Sequence, residues 1–145
     1  DPLVPMVSDD GKRVCADDFT QALLDHLQEL GGKTLVIASS DLSHVGPQFG
    51  EPSPVDEARR EEVDQHDRDM ILKFVQGDAP AFIEAMNWSK NPTRWCSIGN
   101  MQAAAKISQA QDIELLDYRQ AVDDQGSALV SVASIALFGA EGSER

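Results

Sequence analysis

The sequence predicts an α/β fold with a mainly parallel central sheet, and three consecutive segments carry this prediction. Leu3 to Val7 is a short apolar stretch typical of a strand. Asp17 or Asp18 can cap a helix with one apolar stripe, and Gly31-Gly32 ends it. Residues 34–38 form an unbroken apolar run, which favours a strand covered on both faces. Strand, helix and strand in this order predict a βαβ unit with a right-handed crossover.

The rest of the chain alternates between helix and strand patterns. A polar, proline-rich loop covers residues 39–54, and such loops carry the chemistry of open α/β folds when they leave the carboxyl ends of parallel strands. The elements predicted after this loop are a helix over 55–75, a short helix beginning at Asp78-Ala79-Pro80, a helix over 97–110, and strands over 113–118 and 129–138.

Composition and charge narrow the classes of function. The chain has 145 residues, 41% of them hydrophobic, which is enough for one domain with a core. Its net charge of −13 argues against binding nucleic acid or anionic membrane surfaces. No apolar run approaches the roughly 20 residues of a membrane span. Two cysteines are too few for a disulfide framework, so we expect a reduced, cytoplasmic location.

The segment Asp41-Leu42-Ser43-His44 is the first candidate site. Asp41 and His44 are three residues apart, so both side chains can lie on one side of a turn. A carboxylate beside an imidazole fixes the imidazole tautomer and suits proton transfer. The alternative, commoner on spacing alone, is that Asp41 caps the turn and His44 is an ordinary polar loop residue.

Cys96 is the second candidate because it stands at the start of a predicted helix. The helix dipole there favours the thiolate, which is a nucleophile or a metal ligand. The alternative is a small buried hydrophobic residue. Trp88 and Trp95 can close a pocket nearby, although tryptophans more often belong to the core. Cys15 has no polar neighbours in the sequence and is interpreted as structural.

Several segments, taken together in order, resemble the Memo family, whose bacterial and archaeal members are also called AmmeMemoRadiSam system protein B. The resemblance extends from Val4 to Leu137. Its strongest part is residues 34–44 (TLVIASSDLSH), similar to that family's strand followed by Ser-Ser-Asp-(Leu/Phe)-x-His. The other matching segments are Asp67, 78–82, Cys96, 115–118 and 130–133.

This family is similar to the class III extradiol dioxygenases, so the resemblance implies an α/β sandwich with a mixed central sheet flanked by helices. It also implies a pocket lined by two histidines from an N-terminal half together with Asp41, His44 and Cys96 here. In that pocket His44 would be the acid/base, Asp41 would orient it, and Cys96 would bind iron or copper. The implied activity is that of a non-haem, metal-dependent, dioxygenase-like oxidoreductase.

Two departures and the start of the chain qualify these expectations. Ser97 stands where the family has a glycine, and Val45 where it often has an aromatic residue. The chain begins without methionine, so we expect residues 1–138 to be the C-terminal part of one Memo-like domain and 139–145 to be a flexible tail. The two histidines would then lie upstream. We therefore expect iron or copper in the longer protein and none in this chain alone.

Two other functions stay open at this point. One is a non-catalytic module that uses the same pocket for a small-molecule or peptide ligand. The other is a hydrolase in which His44 activates Cys96, which requires the two side chains to be within about 4 Å. A half-domain with exposed sheet edges also favours association with its missing half or with a second copy of itself.

Overall fold

The computed structural model of the chain describes residues 15–77 and 79–139, and the predicted strand at 3–7 lies outside them. Helices and strands follow one another along the chain in a mixed order. The elements are α1 (Ala16–Leu30), β1 (His44–Val45), a 3-10 helix (Pro47–Phe49), α2 (Glu57–Val75), α3 (Ala79–Ser89), α4 (Ile98–Ile107), β2 (Ala110–Val122) and β3 (Leu129–Gly139).

The sheet has the strand order β1-β3-β2, and both pairs of neighbours are antiparallel. The strands β2 and β3 form a hairpin, closed by a turn in which Gly126 (φ +65°) donates its N–H to the Asp123 carbonyl over 3.0 Å. A short hairpin connection permits only antiparallel pairing. The mixed helix-and-sheet class is confirmed, but the predicted mainly parallel sheet is wrong for the described residues.

The predicted strand at residues 34–38 is a second correction. Residues 33–43 adopt no regular secondary structure, and Leu35 and Ile37 are 83% and 77% exposed. An apolar run becomes a buried strand only where other elements cover it, and none of the described elements covers these two side chains. The segment joins the sheet only near its end, where Leu42 donates its N–H to the Ser131 carbonyl over 2.8 Å.

The first helix begins slightly earlier than predicted. Cys15, rather than Asp17 or Asp18, is its N-cap, and the Cys15 sulfur accepts the Asp18 N–H over 3.4 Å. Part of the predicted apolar stripe faces outward, since Phe19 and Leu30 are 61% and 69% exposed. The structural role predicted for Cys15 therefore takes the form of a helix cap.

The main core lies between α2, α3, α4 and the inner face of the hairpin. Trp95, from the loop between α3 and α4, is fully buried in it, and its ring centroid lies 6.0 Å from that of Phe82. The other buried members of this cluster are Leu42, Met70, Ile71, Phe74, Met86, Ile98, Met101 and Ile113. None of the described helices is long and apolar enough to cross a membrane.

A smaller apolar cluster fixes the loop of residues 39–54. It consists of Val45, Val55, Val63 and Leu129, all of them buried. Gly46 (φ +108°) adopts a backbone conformation that favours glycine, and a Cβ there would lie 2.6 Å from the Ser127 carbonyl oxygen. The loop therefore packs closely against the β2–β3 turn and holds β1 at the sheet edge.

Candidate metal centre

The two middle residues of the segment 41–44 are buried, whereas Asp41 and His44 on either side of them are partly exposed. Leu42 enters the main core with 3% exposure, and Ser43 is fully buried beneath the sheet edge. The backbone N–H of His44 donates to the Thr93 carbonyl over 2.7 Å. This bond joins the segment to the loop before α4, so Asp41 and His44 face the same surface as Cys96.

The structure brings together the three residues that the sequence singled out. The distance from His44 Nε2 to Asp41 Oδ1 is 3.3 Å. The Cys96 thiol donates to the same Asp41 oxygen over 2.9 Å, across 55 positions of sequence. One ligand atom from each of the three residues lies within 4.8 Å of the others. One oxygen of Asp41 is therefore close to both the thiol and the imidazole.

The orientation of His44 follows from its second ring nitrogen. Nδ1 lies 3.1 Å from the carbonyl oxygen of Arg94. A carbonyl oxygen only accepts, so Nδ1 carries a proton and Nε2 is the nitrogen that faces Asp41. The Phe49 ring packs edge-on against the imidazole at 5.2 Å between centroids. Tautomer and ring position are therefore both set by the protein.

The ionisable groups of the site shift one another's pKa values. The hydrogen bond from Cys96 lowers the pKa of Asp41, and the nearby His44 acts in the same direction against partial burial. Partial loss of hydration around the sulfur raises the pKa of the Cys96 thiol, and the Asp41 carboxylate raises it further. Both influences act against the activation of Cys96 predicted from the helix terminus. Cys96 lies two residues before Ile98, the first residue of α4, and its closest charged neighbour is an acid.

The three converging atoms are a sulfur, an imidazole nitrogen and a carboxylate oxygen. Electron-rich atoms this close together are stabilised by a proton or a metal cation between them. A donor set of thiol, imidazole and carboxylate suits iron or copper better than magnesium or calcium, which prefer oxygen. Three ligands leave coordination positions open. No second group of this kind occurs in the described residues.

A layer of buried, hydrogen-bonded side chains lies directly beneath the site. The sequence alone predicted little of it. Asp67 of α2 is fully buried, and its carboxylate accepts hydrogen bonds from four side chains: Ser43, Trp95, Tyr118 and Ser131. Burial, together with the Asp67 charge, raises the pKa of Tyr118 well above its ordinary range. The signal in the sequence is the position of Asp67 near the apolar stripe of α2, which favours a side chain that projects inward. The neighbouring His66 is half-buried, and burial lowers its pKa.

A second polar network supports the loop around His44. Arg94 (φ +59°) donates one guanidinium N–H to the His44 carbonyl over 3.2 Å, and the same nitrogen lies 3.3 Å from Glu51. Arg59 donates to Glu51 over 2.6 Å. Burial opposes ionisation of Glu51, but Arg59 and then Arg94 outweigh it and lower its pKa. These charges hold the 3-10 helix against α2.

The architecture defines a mixed helix-and-sheet domain that gathers a thiol, an imidazole and a carboxylate at one sheet edge. The model of the family described as Memo-like protein matches residues 2–137, which is most of the chain. The chain therefore belongs to the Memo-like family, and the resemblance noted in the sequence is confirmed. No curated protein and no solved structure matches it significantly.

Proposed function

We propose that this protein is a metal-dependent, dioxygenase-related member of the Memo-like family, in which Cys96 anchors an iron or copper ion. The observation that carries this proposal is the convergence of Asp41, His44 and Cys96 ligand atoms within 4.8 Å. The metal would supply redox chemistry at an open coordination position. Asp41 orients the site, and His44 accepts or delivers a proton at Nε2.

The same geometry explains why metal binding would have to compete with a proton. The Cys96 thiol donates its hydrogen to Asp41, and a thiol binds metal as thiolate. Metal entry would therefore release this proton and replace the hydrogen bond. The family resemblance implies two further histidine ligands from an N-terminal half. We therefore expect the 145-residue chain to retain no iron or copper by itself and to bind added metal only weakly, but measurably in a titration.

Metal titration of matched cysteine variants tests this function. The chain contains two cysteines, so Cys15→Ala is the control for Cys96→Ala. With Co²⁺ as a spectroscopic probe, we expect Cys96→Ala to remove the thiolate-to-metal absorption and to weaken binding at least about tenfold. Cys15→Ala should leave both unchanged. Equal cobalt binding by the wild type and Cys96→Ala would refute the metal role of Cys96.

A third variant separates the roles of His44 and Cys96. If His44 moves protons rather than binding the metal, His44→Asn should weaken Co²⁺ binding less than Cys96→Ala does. A loss as large as that of Cys96→Ala would make His44 a metal ligand. Metal analysis of the longer protein by mass spectrometry, purified without added chelator, identifies the native ion.

A second function is favoured by an apolar cavity beside the site. This cavity, of about 250 Å³, is lined mainly by apolar side chains from residues 36–42, α4 and β3. Ser40 and Ser97 also line it, and the buried Ser97 hydroxyl has no hydrogen-bond partner among the described residues. Such a cavity suits a small apolar ligand with one polar group. It therefore favours the alternative that the protein is a non-catalytic binding module.

Two small-molecule probes, benzyl alcohol and toluene, test this binding alternative. If the cavity binds such ligands, benzyl alcohol should perturb the NMR signals of Met101 and Ala104, and Ser97→Ala should weaken benzyl alcohol more than toluene. Equal effects on the two probes, or no perturbation by either, would remove the binding alternative. The hydrolase alternative gains no support, since the Cys96 thiol donates to Asp41 and partial loss of hydration raises its pKa.

A further inference from the structure

Asp67 lies in the middle of α2, yet all the side chains that hold its carboxylate belong to other elements. The residue is fully buried. Its Oδ1 accepts from the Ser43 hydroxyl and, over 2.7 Å, from the Trp95 indole N–H. Its Oδ2 accepts from the Tyr118 hydroxyl over 2.8 Å and from the Ser131 hydroxyl. A buried carboxylate is costly unless it is fully hydrogen-bonded, so these four contacts are strongly constrained.

Two of these partners are immediate neighbours of site residues. Ser43 precedes His44, and Trp95 precedes Cys96. Asp67 therefore binds both segments that carry the site, and the Trp95 indole also reaches the Ser43 hydroxyl over 2.9 Å.

The other two partners connect this contact to the sheet. Tyr118 lies on β2 and Ser131 on β3. The Ser131 hydroxyl also accepts the backbone N–H of Ser43 over 2.9 Å. The Asp67 carboxylate is thus the point at which α2, the hairpin and the two site segments meet.

We propose that Asp67 is a positioning residue that sets the separation between Cys96 and the Asp41–His44 pair by holding Ser43 and Trp95 against the sheet. Its functional meaning rests on the proposed metal centre. Asp67 acts through these two neighbours, since none of its hydrogen bonds goes to a site side chain. The Trp95 indole can only donate, so Oδ1 has to remain an acceptor. An amide nitrogen in place of Oδ2 would force the Tyr118 and Ser131 hydroxyls to accept where they now donate.

Hydrogen exchange in Asp67→Asn tests this role against a variant that is only less stable. The control is Met86→Ala, which empties part of the same core at a fully buried residue. Both variants are compared under conditions that give them equal global stability. The diagnostic backbone amides belong to the two site segments. Leu42 and Ser43 donate to Ser131 of β3, His44 donates to Thr93, and Trp95 donates to the Asn91 side chain.

In Asp67→Asn we expect these four amides to exchange together at least about tenfold faster than in Met86→Ala. Equal exchange in the two variants would overturn the proposal, since it would reduce Asp67 to a general contributor to stability. If Asp67→Asn does not fold, Tyr118→Phe removes one donor to Oδ2 while leaving in place the carboxylate and the acceptors of the four diagnostic amides. The same amides should then exchange faster than in the control, and unchanged exchange would again overturn the proposal.

Cobalt binding gives the functional readout. We expect Asp67→Asn to weaken Co²⁺ binding by about tenfold and Met86→Ala to leave it unchanged. Equal binding by Asp67→Asn and the wild type would overturn the positioning role. A wild-type chain that binds no Co²⁺ would count against the metal centre alone, and the exchange measurement would still decide whether Asp67 positions the two segments.

Discussion

The two sides of the site segments differ in what holds their side chains. On the outer side, Asp41, His44 and Cys96 are partly exposed and are bonded mainly to one another. On the inner side, Ser43 and Trp95 are fully buried and both donate to Asp67. The chemistry and the stability of these segments therefore lie in separate layers, one residue apart in sequence.

This separation has a physical reason. The outer layer gathers three electron-rich atoms around one carboxylate, an arrangement that contributes little to folding until a cation is bound. The inner layer pairs every donor with a buried acceptor, which stabilises the fold and its geometry. We expect variants of the inner layer to lose stability and variants of the outer layer to lose binding.

The largest expected loss of stability is that of Trp95→Ala, and Trp88→Ala is its control. Trp95 is fully buried and hydrogen-bonded, whereas Trp88 is 88% exposed. Trp95→Ala should lower the free energy of unfolding by about 3–5 kcal/mol, since it leaves a large cavity. Trp88→Ala should change it by less than about 0.5 kcal/mol. Urea denaturation measures both changes. Similar losses in the two variants would contradict the conclusion that the inner layer carries the stability of these segments.

Tyr118 is expected to have a smaller effect that depends on Asp67. Tyr118→Phe removes one donor to Asp67 and should cost about 1–3 kcal/mol of unfolding free energy. In the Asp67→Asn background the same change should cost at least about 0.5 kcal/mol less, because the two side chains interact directly. Additive losses in this double-mutant cycle would show that Tyr118 stabilises the fold independently of the buried carboxylate.

The sequence predicts local elements well where each element buries its own face. The helix α2 and the strand β3 appear close to their predicted bounds, because their patterns need only adjacent partners. The strand β2 is present as predicted but extends beyond the predicted residues 113–118 at both ends. The strand predicted at residues 34–38 fails because its burial depends on coverage that the described residues do not supply. A run of apolar residues indicates a tendency to be buried, but does not specify the partner.

The candidate site was likewise predicted only in the part that local sequence can indicate. Asp41, His44 and Cys96 were selected by residue type and family resemblance, and the structure brings their ligand atoms together. The donors to Asp67 are serine, tyrosine and tryptophan residues on separate segments, and no local spacing relates them. Only the tertiary fold identifies such a set, since its members share one carboxylate rather than one motif.

Glu51, at the edge between the two layers, is expected to make a pH-dependent contribution to the stability of the fold. Its pKa is lowered in the folded chain, so it stabilises the fold above its unfolded value, near 4.5, and this stability is lost as pH falls through the folded pKa. Glu51→Gln should therefore cost about 1 kcal/mol at neutral pH. The difference from the wild type should disappear in acid.

The matched control for Glu51 is Glu57, whose side chain is 85% exposed and forms an ion pair with Arg60. Glu57→Gln should be indistinguishable from the wild type in urea denaturation at both pH values, as expected for a surface pair. A Glu51→Gln deficit that persisted in acid would mean that the loop around His44 depends on the shape of Glu51 rather than on its charge.

The smallest expected effect is that of Cys96→Ala on stability. The Cys96 side chain is exposed, and its hydrogen bond goes to a carboxylate that is itself 41% exposed. Its removal should change the free energy of unfolding by no more than about 0.5 kcal/mol in metal-free buffer. A loss several times larger would place Cys96 in the stabilising layer. A negligible loss, combined with impaired cobalt binding, is the behaviour of a residue retained for its chemistry rather than for the fold.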